Sequence, residues 1–505
     1  MAGPTVPDAG KVAVVNVLVT GASGYVGSQL VPALLERGHY VVCMTRDARN
    51  VTNKFPRRVN VVEADALKPE SLNPALRGIH VAYYLIHSLN AGERAFRSTD
   101  HDAARNFAIA AKEAGVKRIV YLGGLGDPKS ALSAHLKSRQ ETSECLRQYG
   151  PPLTDFRSAV VIGAGSISFE MVRYLTERVP LMICPRWVTT RIQPIGIDDV
   201  ASYLVAALDE PKSVGQTIDI GSPSIETYRT MMLKYAAYRG LRRPLIEVPV
   251  LTPRLSSYWV DLVTPIPANI SRPLIEGLRS EVVCTNDRAR EIFPLIKPLT
   301  YEQALARALQ VPDLSALAER RASEVLSGSR LPQVVEEEGW VADVREGDVA
   351  VSPSRVFAVV EGIGGKRGWF YGTWLWRLRA VLDRMLGGTG MGEGRRDPDT
   401  LQIGDLLDFW QVEEIERGKR LCLKAMMRVP GEAYLLFETF SEGSGTRLRS
   451  SALFRPRGLW GRVYWWMLLP VHKFIFSGLN AAIRERAMQE SSPVPPAAPF
   501  TKSMA

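Results

Sequence analysis

Cysteine is scarce in this chain. There are five in 505 residues (Cys43, Cys145, Cys184, Cys284 and Cys422), scattered, odd in number and without a C-x-x-C pair. That predicts reduced thiols and a cytoplasmic setting, and it argues against a structural zinc, so no metal is expected. Also missing is a dense Lys/Arg cluster interleaved with aromatics, so the net charge of +10 does not imply a nucleic-acid partner. The charge suits small anions such as dinucleotide phosphates, or an acidic membrane surface. The opening residues, MAGPTVPDAGK, lack the charged-then-apolar order of a signal segment and are expected to form a disordered leader over 1–11. Long apolar runs are lacking too. The most apolar part of the C-terminal region, Val463 to Val471, is half the ~20 residues a membrane span needs, and Arg462, His472 and Lys473 flank it. A helix packed on a sheet is the expectation there. Peripheral membrane contact through the same helix is the alternative, because aromatic and basic residues mix along it.

What the chain does have is a strand, a glycine turn and a helix start in that order. An apolar run (Val14, Val15, Val17, Leu18, Val19) ends in Thr20-Gly21. It passes through Gly21-x-x-Gly24-x-x-Gly27 into helical spacing at Val26, Leu30, Ala33 and Leu34. A dinucleotide fold needs this at its first crossover. The first glycine closes the turn, the second admits the pyrophosphate to the backbone, and the third packs helix on strand. Strand patterns recur at His39–Thr45, Arg58–Ala64, Val81–Ile86, Lys117–Leu122, Phe156–Ile162 and Gly215–Ile220, with helical spacing over 103–114 and 133–148 between them. Repeated β–α units of this length predict a Rossmann fold with a doubly wound parallel sheet over 12–318, carrying a helical substrate lobe at about 222–310.

The composition shifts near Arg320. Ser, Gly, Pro and an acidic run suggest a linker over 319–339, and eight of the ten tryptophans lie at Trp340 or later. A second, α+β domain is expected over 340–488. Ser352-Pro353 is the pattern of a helix start, and residues 387–394 read as a glycine-rich loop. Strands are expected at Phe409–Ile415, Arg420–Met427, Ala433–Phe440 and Thr446–Phe454, then a long helix from Trp460 to Met488, then a disordered tail over 489–505. Trp465, Trp466 and Phe474 of that helix are expected to cover the sheet and leave an apolar pocket, with Arg449 and Arg455 as polar anchors.

These residues carry a resemblance. Residues 12 to about 309 resemble an atypical, extended short-chain dehydrogenase/reductase. The similar branch is the NmrA-like group, which includes the accessory Rossmann subunit of respiratory complex I. The shared features are the Gly21/Gly24/Gly27 turn, Asp65 after the third strand, YYLIHS ending the fourth, IVYLGGLG at the fifth and IQPIGIDDVASYL from Ile192. Residues 340 to about 488 resemble a bacterial domain of unknown function whose element order is similar to the START/SRPBCC helix-grip fold. The resemblance implies NAD(P)H binding by Gly21, Ser23, Gly24, Tyr25, Val26 and Gly27, with Asp65 beside the adenine and Tyr84 and His87 toward the nicotinamide.

Two positions decide the finer reading. Arg46 follows the second strand, where NAD-selective folds place an acid on the ribose hydroxyls, and Thr45-Arg46 is suited to a 2′-phosphate. NADP(H) is therefore the favoured cofactor, with NAD(H) the alternative through Asp47. Short-chain dehydrogenases carry Tyr-x-x-x-Lys on the helix after the fifth strand, yet here His135 and Arg139 hold that i, i+4 spacing. Gly123-Gly124 stands where the family places a serine or threonine. His135 is the candidate proton donor and Arg139 the candidate ribose ligand. The leading expectation is an oxidoreductase that reduces a small apolar or lipid-like carbonyl or enone with NADPH. The competing one is a non-catalytic NADP(H)-sensing or assembly protein. No motif sets the oligomeric state.

Overall fold

The computed structural model describes residues 14–489 except 53–54, 56–58, 88–92, 128–131, 249–263, 265–274, 278–279, 311, 320–335, 338, 386–394 and 396–399. The expected leader, most of the linker, the glycine-rich loop and the tail lie outside the described residues. The chain divides into two compact units, Met1–Gln310 and Val311–Ala505.

The first unit is a Rossmann fold. Its strands are β1 (Asn16–Thr20), β2 (Tyr40–Thr45), β3 (Asn60–Glu63), β4 (Val81–Tyr84), β5 (Arg118–Gly124), β6 (Leu153–Ser158) and β7 (Thr217–Ile220). They form one parallel sheet in the order β7-β6-β5-β4-β1-β2-β3. Alternation along β1 sends Val17 and Val19 to one face and Leu18 to the other, and both faces are covered. Helices α1 (Tyr25–Glu36) and α6 (Ile197–Ala206) build one side. The other side is built by α2 (Pro69–Leu76), α3 (Glu93–Glu113) and α4 (Ala134–Tyr149). A smaller core joins α5 (Ile167–Arg178), α7 (Tyr228–Tyr238) and α8 (Tyr301–Ala308) through Phe169, Met231, Tyr235 and Tyr301. The expected strand at Phe156–Ile162 is two elements. β6 ends at Ser158, and Val161–Ile162 pairs instead with Ile195–Gly196.

The second unit is an antiparallel sheet crossed by a long helix, a helix-grip arrangement. Its main strands are β8 (Trp340–Val349), β9 (Trp410–Glu416), β10 (Arg420–Ala425), β11 (Gly431–Glu442) and β12 (Gly445–Pro456), in the order β8-β12-β11-β10-β9. The helices are α9 (Pro353–Glu361), α10 (Thr373–Met385) and α11 (Gly458–Gln489). Ser352 is the N-cap of α9 and Pro353 its first residue, as the sequence pattern suggested.

Alternation along β11 splits this unit into two cores. Leu435 and Phe437 face Ile475, Phe476, Leu479 and Ile483 of α11, and Trp369, Trp376, Phe409 and Trp410 fill the same core. Tyr434 and Leu436 face the other way, toward Trp340, Leu317 and Ala318. The short helical segment 314–319 therefore packs with the second unit. The covering residues differ from those expected: Trp466 and Phe474 are exposed, and Trp465 stacks on Phe454 at 5.6 Å. Arg449 pairs across the ladder with Glu438, and Arg455 with Glu432, on the face away from α11. Arg449 is held there by Glu346 at 2.7 Å. Neither arginine points at α11.

One hydrogen bond in the larger core is open to a direct test. Trp369, fully buried, donates its indole N–H to Asp408 at 2.7 Å, and burial holds the Asp408 carboxyl above its ordinary range. Trp369→Phe removes the N–H donor together with the pyrrole half of a buried indole, so calorimetry should show the second unit destabilised by at least ~1–3 kcal/mol. An unchanged melting midpoint would mean the bond contributes nothing net.

Candidate functional site

The chain runs β1-β2-β3 to one side and β4 to β7 to the other, so the loops after β1 and β4 part at the carboxyl ends of adjacent strands. Open α/β sheets bind ligands at such a point. Thr20 sits where they part. Its buried hydroxyl donates to Tyr83 O at 3.1 Å and accepts the Leu85 N–H at 2.9 Å. Gly21 follows with φ +64, and a Cβ there would lie 2.8 Å from Leu85 O. At Gly27 a Cβ would lie 2.3 Å from Gly21 O, so only glycine lets α1 close on the turn. Gly24 is the N-cap of α1 and lends it no side-chain cap. The N-cap position thus offers the first turn no competing side-chain acceptor, the arrangement a pyrophosphate needs. Ser23, Tyr25 and Val26 line this turn half-buried, and the Tyr25 hydroxyl reaches to Gly163, whose absent Cβ makes room for it. These residues fit a dinucleotide.

Beyond β2 the side chains differ in availability. The Thr45 hydroxyl is taken up by its own turn, donating to Asp47 O at 3.0 Å and accepting the Asp47 N–H at 3.2 Å. The Asp47 carboxylate is held by both forks of Arg49, at 3.0 and 2.9 Å, which lowers its pKa. Arg46 is exposed and makes no hydrogen bond or ion pair among the described residues. Asp65 shapes a turn: its Oδ1 accepts the Leu67 N–H at 3.1 Å, and its own N–H donates to Ser71 Oγ at 3.0 Å.

At the other side of the switch point lies a cavity of about 270 Å³. It is floored by the ends of β5 and β6 and walled mainly by apolar side chains such as Leu122, Leu125, Leu136, Val160, Met171 and Ile192. Val26, His87, His135 and Arg139 line it too. His135 and Arg139, one turn apart on α4, are thus brought together with His87, whose ring centre is 4.9 Å from that of His135. Tyr84 is placed elsewhere. It is 1% exposed and packs between Phe107 and Tyr121 in the core under α3 and α4, because the alternation of β4 turns it to that face.

Burial sets the chemistry of the two imidazoles. His135 has its pKa lowered to about 3, by desolvation first and then by the neighbouring His87 and Arg139. His87 is lowered by desolvation as well, although Asp100 pairs with its Nδ1 at 3.3 Å. Burial therefore favours a neutral His135 at physiological pH, with one N–H to offer. Arg139 donates to Leu122 O and lies over the Tyr121 ring at 5.1 Å, which turns its guanidinium back onto β5. The Gly123-Gly124 end of β5 has a steric basis. A Cβ at Gly124 would meet Leu136 Cδ2 at 2.9 Å, and one at Gly123 would meet the Tyr121 ring at 3.0 Å. Asp100 and Leu136, which shape this pocket, carried no signal in the sequence.

Fold and turn together define a Rossmann domain with the glycine turn of a dinucleotide site, and the comparisons point the same way. Residues 21–150 match a family described as NAD(P)H-binding, and residues 340–479 match one described as a protein of unknown function, DUF2867. The chain is 25% identical over 283 residues to the NADH dehydrogenase [ubiquinone] 1 alpha subcomplex subunit 9 of Arabidopsis thaliana, covering 53% of this chain and 69% of that one. It is 28% identical to the ceramide reductase of Caulobacter vibrioides over 46% of this chain and 73% of the relative. A third relative is the divinyl chlorophyllide a 8-vinyl-reductase of Arabidopsis thaliana, 23% identical, with 41% of this chain and 54% of that protein aligned.

The burial of His135 makes a pH prediction. Between about pH 3 and 6.5 the unfolded chain binds a proton that the folded chain refuses, so stability rises with pH across that window. At pH 5 this one group should cost ~2 kcal/mol relative to pH 8. Urea titrations of wild type and His135→Gln at the two pH values measure it, and the variant should lack that share of the acid loss. Equal acid losses in both proteins would show that His135 titrates normally.

Proposed function

We propose that this protein is an NADPH-dependent reductase of an apolar, lipid-like carbonyl or enone, with its chemistry in the first unit. The observation that carries the reading is the apolar-walled cavity opening beside Val26 of the glycine turn, with His87, His135 and Arg139 on its wall. Two relatives named as reductases, one of them of a lipid, support the substrate class. NADPH, when bound, supplies the hydride. The chain's own residues do the rest. The Gly21–Gly27 backbone and the first turn of α1 hold the pyrophosphate, and Arg46 meets the 2′-phosphate. The neutral His135 offers one N–H to the substrate oxygen as it gains charge, while the proton itself comes from water.

A second reading has its own observation. Arg139 is turned onto Leu122 O and glycine replaces the hydroxyl residue of β5, so two family roles stand vacant. That favours a cofactor-binding sensor or assembly protein, and one relative is named as a subunit of an NADH dehydrogenase rather than as a reductase.

Two measurements test these readings. Calorimetry on Arg46→Ala should show NADPH binding weakened by ~1.5–3 kcal/mol, the worth of a charge-assisted phosphate contact, with NADH nearly unchanged. Equal losses for both cofactors would remove Arg46 as the discriminator. For turnover, His135→Leu should slow NADPH oxidation by an apolar enone about 10²–10⁴-fold, while His135→Gln, which keeps a donor, stays within roughly tenfold of wild type. If NADPH binds but no apolar carbonyl or enone oxidises it, the sensor reading replaces the reductase.

A further inference from the structure

We propose that the second unit docks on the surface of an anionic lipid bilayer through α10 and the first half of α11. On α10 the exposed residues Trp374, Leu378, Val381 and Met385 fall at i, i+4, i+7 and i+11, one narrow stripe, while Trp376 and Ala380 face the core. On α11 the exposed Trp460, Trp466, Met467 and Phe474 lie opposite the core residues Trp465, Ile475 and Phe476. The stripes adjoin where Tyr371, just before α10, packs on Phe474 at 5.2 Å. Gly478 permits this approach, since a Cβ there would overlap the Tyr371 ring at 2.1 Å. Two neighbouring ridges of large apolar side chains, facing water, form the kind of patch that marks an interaction surface.

Charge selects the occupant. From Gly458 to Arg484 the chain contains no Asp or Glu, yet α11 carries Arg462, Lys473 and Arg484, and Arg457 stands just before it. Arg457 and Lys473 are exposed beside the α11 stripe. A second copy meeting this patch about a two-fold axis would set cation against cation with no acid from the first half of α11 between them. An anionic lipid surface satisfies both features: aromatic and aliphatic side chains enter the acyl boundary, and the cations meet headgroups. Among the described residues no helix is long and apolar enough to cross a membrane, so the helices would lie along the surface.

Flotation of the full chain with vesicles of phosphatidylcholine, alone or mixed with phosphatidylglycerol, tests this. The protein should float with the mixed vesicles and do so less at high salt. The Trp460→Ser/Trp466→Ser double variant should partition roughly tenfold less or weaker still, and Lys473→Ala about fivefold less on the mixed vesicles only. These side chains are exposed, so an unchanged melting midpoint checks that each variant folds. Trp374→Ser on the other helix gives an independent reading. The proposal fails if wild type stays unbound with anionic vesicles, or if the double variant floats as wild type does. It also fails if light scattering shows a dimer that the tryptophan variants dissolve while no flotation occurs.

Discussion

The first unit depends on how the backbone is satisfied where β1 and β4 part. Up to Val19 and Tyr83 the two strands are paired in register. One residue later they must separate to open the crevice, and a backbone donor or acceptor stranded in that dry place would cost ~1–3 kcal/mol. The Thr20 hydroxyl takes up both, accepting from Leu85 and donating to Tyr83. Having ended the ladder this way, the chain must turn at once. It can do so only because residue 21 tolerates the left-handed region and carries no Cβ to meet Leu85 O. The same hinge fixes the path of residues 85–87, which sets His87 against α4. The glycine turn and the cavity wall are two consequences of one strand parting.

Across the crevice the departures from the Tyr-x-x-x-Lys pattern are linked to one another. Leu136 sits between His135 and Arg139 in sequence and occupies the space a side chain at Gly124 would need. A hydroxyl residue at 124 is thus incompatible with this leucine unless it shifts, so the glycine and the leucine go together. Arg139, in place of lysine, is too rich in donors to remain unsatisfied in a partly buried site. It turns to the Leu122 carbonyl and the Tyr121 face. Its charge and that of a protonated His87 would both oppose charging His135, and burial opposes it more strongly still. The result is a mainly apolar cavity in which burial favours the neutral form of His135.

Much of this was legible in the chain. The glycine turn, the parallel strands and the meander of β9 to β12 follow from periodicity and turn residues, and the observed strands fall within a few residues of those expected. β8 was not foreseen, because WVADVREGDV alternates into charges. In the fold Asp343 and Arg345 pair with each other, and Glu346 holds Arg449, so charged positions are served inside the sheet. α10 was hidden by its neighbours, Gly368 and Gly372, both at positive φ. The spacing of His135 and Arg139 was readable, but the ionisation of His135 was not, since it depends on burial and on His87, far back in the chain. Tyr84 and Asp65 show the same limit: the sequence placed them near the crevice, while strand alternation and a local turn determine what each side chain does.

The tryptophans of the second unit show why a count cannot separate core from surface. Trp340, Trp369, Trp376, Trp410 and Trp465 are buried, whereas Trp374, Trp460 and Trp466 stand in water. Composition treats them alike; helical geometry does not. Trp374 and Trp376 are two residues apart on α10, so when one faces the sheet the other must face away. Trp465 and Trp466 are adjacent on α11, where Trp465 stacks on Phe454 and Trp466 is carried around toward solvent. A helix meant only to seal a core would place polar residues at positions 374, 460 and 466, since nothing in the packing requires an indole there. The core accounts for the first set. The second set is what the proposed bilayer contact accounts for.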